Sequence, residues 1–220
     1  QHYMFAAMHR FDYSIEHCLE FHDSIEAVCQ PLRHKTDAER KQALGVESLR
    51  PWDMGVDVKG RPPLTPFTDV QDMIDGCSRI FHSMSDELGD LFDQLDANDC
   101  LDLESRKGKA PGGYQYYLQK SRLPFIFMNA AGTQRNVETM IHEAGHAFHS
   151  FYSGHLDLIH ERDSPIEFAE VASMSMELLT HPQWTEFYSE QDADRARRNH
   201  LEDIIALMPW IATIDAFQHW

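Results

Sequence analysis

The sequence predicts a mainly α-helical α+β fold, a helical core with a small antiparallel β-sheet. Three observations predict it. Apolar residues recur at helical spacing through most of the 220 residues, punctuated by helix-start signals. Two short aromatic runs, Tyr114–Gln119 and Pro124–Asn129, read as a hairpin across a polar turn. The stretch that follows, Asn136–Phe151, carries His142, Glu143 and His146 in the order H-E-x-x-H inside a helical pattern, which sets the sheet beside that helix.

Taken in order, residues His2 to Cys29 read as helical, interrupted near Asp12 and Tyr13, with Ser14 as N-cap and Pro31 as the stop. His9, His17 and His22 fall here and read as surface or satisfied histidines, not as ligands. Thr36 is expected to cap a short charged helix ending near Leu44. Gly45–Phe67, with Pro51, Pro62, Pro63 and Pro66, reads as a loop that packs through Trp52, Val56 and Val58. Thr68 with Gln71 is a capping box for a helix to Ser83, and Ser85 caps the next, to about Ala97 or Asn98. Arg106–Gly113 is basic and glycine-rich but lacks the G-x-x-x-x-G-K order, so it reads as a permissive turn entering a strand and not as a phosphate loop. Ser164, Pro165 and Glu167 mark a helix start, with the helix running to Thr180. Two further helices are expected at Glu190–Leu207 and from Pro209 to the end.

Composition narrows the function classes. The formal charge is −17, from 36 acidic and 19 basic residues. That argues against nucleic acid and anionic membranes as partners, since both want a basic face. Cys18, Cys29, Cys77 and Cys100 form no C-x-x-C and no framework, so they read as free thiols of a reducing compartment. No run approaches the roughly 18 apolar residues of a membrane span. The chain opens at Gln1 without a methionine, in amphipathic sequence. It therefore reads as one domain, residues 1–220, cut from something longer, whose bare apolar surface invites self-association.

The chemistry sits in the motif. Residues four apart on a helix lie nearly above one another, so His142 and His146 can point two imidazoles at one ion. Glu143 lies about 100° round the helix, placed to act on a water without ligating the ion. Two imidazoles and one further ligand leave zinc an open position. Four glutamates that follow, Glu161, Glu167, Glu170 and Glu177, are candidates for that ligand. Glu167 has a capping role. Glu170 lies one turn deeper, among Phe168, Ala169, Val171, Ala172 and Met174, where a carboxylate needs a partner. Glu177 falls on the same face, either holding a histidine N–H behind the ion or simply solvated. Gly145 inside the helix costs about 1 kcal/mol against alanine and is read as room for another backbone or as a packing detail.

These residues resemble the oligoendopeptidase F and thimet oligopeptidase family of zinc peptidases. The match rests on Gly108-Lys109-Ala110-Pro111-Gly112-Gly113-Tyr114, Pro124-Phe125-Ile126-Phe127-Met128-Asn129, His142-Glu143-Ala144-Gly145-His146-Ala147-Phe148-His149 and Phe168-Ala169-Glu170-Val171-Ala172-Ser173, with Glu177 beyond. The resemblance implies a zincin-like helical core lining a channel, and one Zn²⁺ on His142, His146 and Glu170. It implies Glu143 as general base, short peptides as substrates and a cytosolic setting. Family members are longer and supply oxyanion donors after the region where this sequence ends. Tyr114, Tyr117, His149 and Tyr152 are the candidate substitutes. The alternative expectation is a zinc-binding fragment without turnover.

Overall fold

The computed structural model describes residues 12–219. The expected helix before Asp12, with His9, lies outside the described residues, as does Trp220. The elements are α1 (Ile15–Leu44), a 3-10 turn (Pro51–Asp53), α2 (Val70–Met84), α3 (Asp86–Ala97), β1 (Leu101–Glu104), β2 (Tyr114–Leu118) and β3 (Leu123–Ala130). They continue with α4 (Gln134–Ser153), the short α5 (Ile159–Arg162), α6 (Ile166–Leu179), a 3-10 segment (His181–Glu186) and α7 (Glu190–His219). The described residues fall into two compact units. One combines those of Gln1–Pro63 with those of Arg197–Trp220; the other is Leu64–Ala196. No described helix is long and apolar enough to cross a membrane. The four cysteines are free thiols.

The fold is mainly helical, as expected. Two helix boundaries differ from the sequence expectation for the same reason. Pro31 does not stop α1 and Pro209 does not divide α7; each lies inside one 30-residue helix. A proline removes one N–H and displaces the carbonyl four residues back, at about 3 kcal/mol. That cost does not end a helix whose flanking turns are held by their own hydrogen bonds and packing. Thr36 correspondingly caps nothing: its hydroxyl donates to the Arg33 carbonyl, 2.9 Å away, within α1. Ser14 is the N-cap of α1, and its N–H donates to His17 Nδ1 at 3.2 Å. Two starts shift by a residue. Asp69, not Thr68, caps α2, accepting from the Gln71 N–H at 2.8 Å. Pro165, not Ser164, occupies the capping position of α6, where its carbonyl accepts from the Phe168 and Ala169 N–H groups.

The sheet has three strands in the order β1-β3-β2. β2 and β3 form the expected antiparallel hairpin, with Tyr114 opposite Phe127 and Leu118 opposite Leu123. β1 pairs parallel to β3, so the sheet is mixed and not purely antiparallel. β3 alternates in burial: Pro124, Ile126, Met128 and Ala130 face the helices, while Phe125, Phe127 and Asn129 are half-buried. The core beneath gathers Met73, Ile80 and Phe81 of α2, Phe92 and Leu95 of α3, and Val137, Met140, Ile141 and Phe148 of α4. Phe81 packs edge-on against Phe148, with centroids 4.9 Å apart. Burying each large side chain contributes about 1.5–3 kcal/mol, and this fixes the rotation of α4 about its own axis.

Lys109 ties the sheet together. Its ammonium donates to the carbonyls of Asp102 (2.8 Å), Glu104 (2.8 Å) and Met128 (2.5 Å), lies 3.1 Å from Asp102 Oδ1 and sits 4.4 Å from the Phe127 ring centroid. The Asn129 side-chain amide donates to the Ala110 and Gly112 carbonyls. The basic, glycine-rich segment is thus a strap from β1 to β3 that delivers the chain into β2. Gly108 and Gly112 have φ of 85° and 99°, as a permissive turn requires.

The Asp102 carboxyl pKa is held down at about 2, chiefly by the Arg106 guanidinium and then by Lys109. A depressed folded-state pKa adds stability that is present above the ordinary carboxylate value and lost as pH falls through about 2. Asp102→Asn is therefore expected to destabilise the chain at pH 5, with the deficit shrinking towards pH 2 in urea titrations. The Lys109 side chain is 1% exposed, and Lys109→Met is expected to cost about 3 kcal/mol by leaving three carbonyls without their donor.

Candidate metal centre

Thr133 is the N-cap of α4, and its N–H and hydroxyl both donate to Asn136 Oδ1, at 3.1 and 2.9 Å. One face of the helix is core; the other carries His142 and His146, with rings nearly perpendicular at 85° and centroids 4.9 Å apart. Glu143 is buried, 7% exposed. The chain then returns through a loop held by Arg162. Its guanidinium donates to the carbonyls of Leu156 and Asp157 and to Gln119 Oε1, which ties that loop to the hairpin turn.

α6 crosses α4 at Gly145. A Cβ built on Gly145 would stand 2.7 Å from Ser173 Cα and 2.9 Å from the Ala172 carbonyl oxygen. The close approach of another backbone is the reason for a glycine there. It brings Glu170 Oε2 to 3.3 Å from His142 Nε2 and 3.8 Å from His146 Nε2. His142, His146 and Glu170 each offer a ligand atom, all within 4.8 Å of one another. Of the four glutamates after the motif, Glu170 is the one in this group.

Glu177, two turns on, is 2.5 Å from His142 Nδ1. An ionised Glu177 accepts that N–H, which leaves Nε2 as the nitrogen facing Glu170. Ser173 Oγ donates to Glu170 Oε2 at 3.0 Å. Ser173 is fully buried and lies on the face that joins Glu170 to Glu177. Sequence reasoning named it only within the Phe168–Ser173 motif and gave it no task.

The electrostatics follow from the packing. Burial works to lower the His142 pKa, but hydrogen bonds to Glu170 and Glu177 outweigh it and lift the ring to about 9. His146 is lowered, by burial and by His142. Burial pushes Glu143 up, with Glu170 and Glu177 adding to it; His142 and the Gln115 backbone pull the other way. Glu170 is lowered, first by its bond to His142.

One part of the sequence argument changes. α6 is not buried around Glu170. Phe168 and Val171 are 64% and 60% exposed, and Ser173 is the buried residue of the helix. Glu170 is brought to the two histidines by the Gly145 crossing and not by an apolar setting. Among the candidate substitute donors, the Tyr114 ring stacks on Phe127 with centroids 4.9 Å apart, and Tyr152 is 48% exposed.

Two imidazole nitrogens and a carboxylate oxygen suit a zinc-class ion and leave a coordination position free. Hydrogen bonds behind His142 and Glu170 complete the pattern such a site needs. Gly145→Ala tests the crossing. Alanine in a helix gains about 1 kcal/mol over glycine, whereas overpacking costs about 1–3 kcal/mol. Net destabilisation in urea titration is expected; a gain near the full helix-propensity value would mean that the helices do not meet there.

The comparisons with known proteins bear on the family. The sequence model of Peptidase family M3 matches residues 1–220. Oligopeptidase PepF of Bacillus subtilis (strain 168) is 28% identical over 151 residues, 68% of this chain and 22% of that protein. Oligoendopeptidase F, chromosomal, of Lactococcus lactis subsp. cremoris is 26% identical over 172 residues, 76% of this chain and 28% of that one. The solved structure of PZ peptidase A with inhibitor 2 superposes with a TM-score of 0.91 at 32% identity, covering 98% of this chain and 38% of that one. The chain thus spans about a quarter of the length of the curated relatives it matches. With a match along its whole length, the chain belongs to Peptidase family M3, a family of metallopeptidases.

Proposed function

We propose that the protein is a zinc-dependent endopeptidase of short oligopeptides, acting in the cytoplasm. In this reading His142, His146 and Glu170 hold one Zn²⁺, Glu143 is the general base, and Glu177 orients His142. The observation that carries it is the convergence of three donors of the right chemistry from two helices, within 4.8 Å, beside a buried glutamate.

When bound, the ion supplies a Lewis acid that brings the pKa of water to about 7 and polarises a carbonyl. The rest falls to the chain. Glu143 takes the proton of the attacking water as its oxygen bonds to the peptide carbon. It then delivers that proton to the nitrogen as the C–N bond breaks, so the leaving group departs as a neutral amine. Burial raises the Glu143 pKa, which suits a group that must hold a proton between two steps. Glu177 and Ser173 keep His142 and Glu170 in position, so little reorganisation is needed at the moment of reaction. β2 is an edge strand, and the backbone of Gln115 on it reaches Glu143. A peptide added along that edge would run past the base in extended form.

Glu143→Gln is expected to keep stoichiometric zinc and to abolish cleavage of a quenched fluorescent peptide; full activity in that variant would refute the assignment. Glu177→Ala is expected to weaken zinc binding by about 10–100-fold, measured by competition with a chelating dye. Zinc retained by the parent chain without any turnover would favour the alternative, a metal-binding segment.

A further inference from the structure

A second group of ligand-type side chains lies between the two long helices. Cys18 and His22 stand one turn apart on α1; Asp215 and His219 stand one turn apart on α7. The Cys18 sulfur, an Asp215 carboxylate oxygen and a His219 ring nitrogen all lie within 4.8 Å of one another. Asp215 Oδ2 is 2.7 Å from His22 Nε2 and 3.4 Å from His219 Nε2. The two imidazole centroids are 6.4 Å apart. Cys18 is buried, and the His22 and His219 side chains are 17% and 15% exposed. A cleft of about 500 Å³, lined by His22, Pro31, Pro209 and Ala212 among others, opens beside His22.

A hydrogen-bonded His22–Asp215 pair accounts for two of these residues. It leaves unexplained why a thiol and a second imidazole converge on the same carboxylate. That combination of sulfur, nitrogen and oxygen donors matches a borderline-soft divalent ion. The i, i+4 pairing repeats the device by which α4 presents His142 and His146.

We infer that Cys18, Asp215 and His219 form a second metal site, for an ion of the Zn²⁺ or Co²⁺ class, with His22 orienting the Asp215 carboxylate. The chain then binds two ions, and the second clips α1 to α7 within their shared unit. On this assignment His22 is a satisfied histidine, as its sequence context implied, but one satisfied by a ligand. The inference does not depend on the peptidase reading of the first centre.

The test uses the whole chain, stripped of metal and reloaded with Co²⁺, with ion count and near-ultraviolet absorption as readouts. Thiolate coordination adds a charge-transfer band that nitrogen and oxygen ligands lack. The parent is expected to bind two ions and show the band. Cys18→Ser and Asp215→Asn should each retain one ion and lose the band. The His142→Ala/His146→Ala double variant should also retain one ion, but with the band intact. One ion in the parent without the band, or a band that survives Cys18→Ser, overturns the second site. Loss of both ions in Cys18→Ser signals misfolding; Asp215→Asn and the double variant then decide.

Discussion

The close crossing of two helices at Gly145 is the constraint on which the rest depends. Two histidines four apart on one helix make half a site, whatever surrounds them. The other half arrives only because α6 can lie with Ser173 Cα where a Cβ on residue 145 would otherwise stand. At that separation one turn of α6 puts Glu170 against both rings, and the turns beyond put Ser173 on Glu170 and Glu177 on His142. A glycine that weakens its own helix by about 1 kcal/mol sets the geometry of five polar groups.

The remaining framework keeps that crossing in register. Ile126 and Met128 of β3 and Phe81 of α2 join Met140, Ile141 and Phe148 in the core and hold α4 from one side. Arg162 ties the returning loop to the hairpin turn, and the Arg122 guanidinium reaches the Gly154 carbonyl at the end of α4. Lys109 binds β1 to β3 with an ammonium removed from solvent, so the edge strand carrying Gln115 enters at a fixed height beside Glu143. A site of this geometry would tolerate little displacement, which is consistent with the straps that Lys109, Arg122 and Arg162 provide.

Much of this was legible in the sequence because it rests on period and local chemistry. The spacing of His142 and His146 and the hairpin runs on either side of Arg122 are local signals, and the structure keeps them. What was not legible was tertiary. Leu101–Glu104 is too short and too charged to read as a strand; it becomes one only by pairing with β3. Pro31 and Pro209 read as stops because a local rule cannot see what holds the flanking turns. Lys109 read as part of a permissive turn because turn chemistry does not show that its ammonium closes on the carbonyls of Asp102, Glu104 and Met128, the last of them 19 residues away. Glu170 was singled out on a burial argument that its exposed neighbours Phe168 and Val171 do not support. Its real warrant is the backbone contact at Gly145, for which the sequence held only the glycine itself.

Anomalous diffraction from crystals of the zinc-loaded chain, recorded on both sides of the zinc edge, tests the central claim most directly. The account requires a peak between α4 and α6 at about 2.0–2.2 Å from His142 Nε2, His146 Nε2 and a carboxylate oxygen of Glu170, with Glu143 near but not bonded. A peak there held by Glu167 or by water in place of Glu170, or no peak between the two helices, would contradict it.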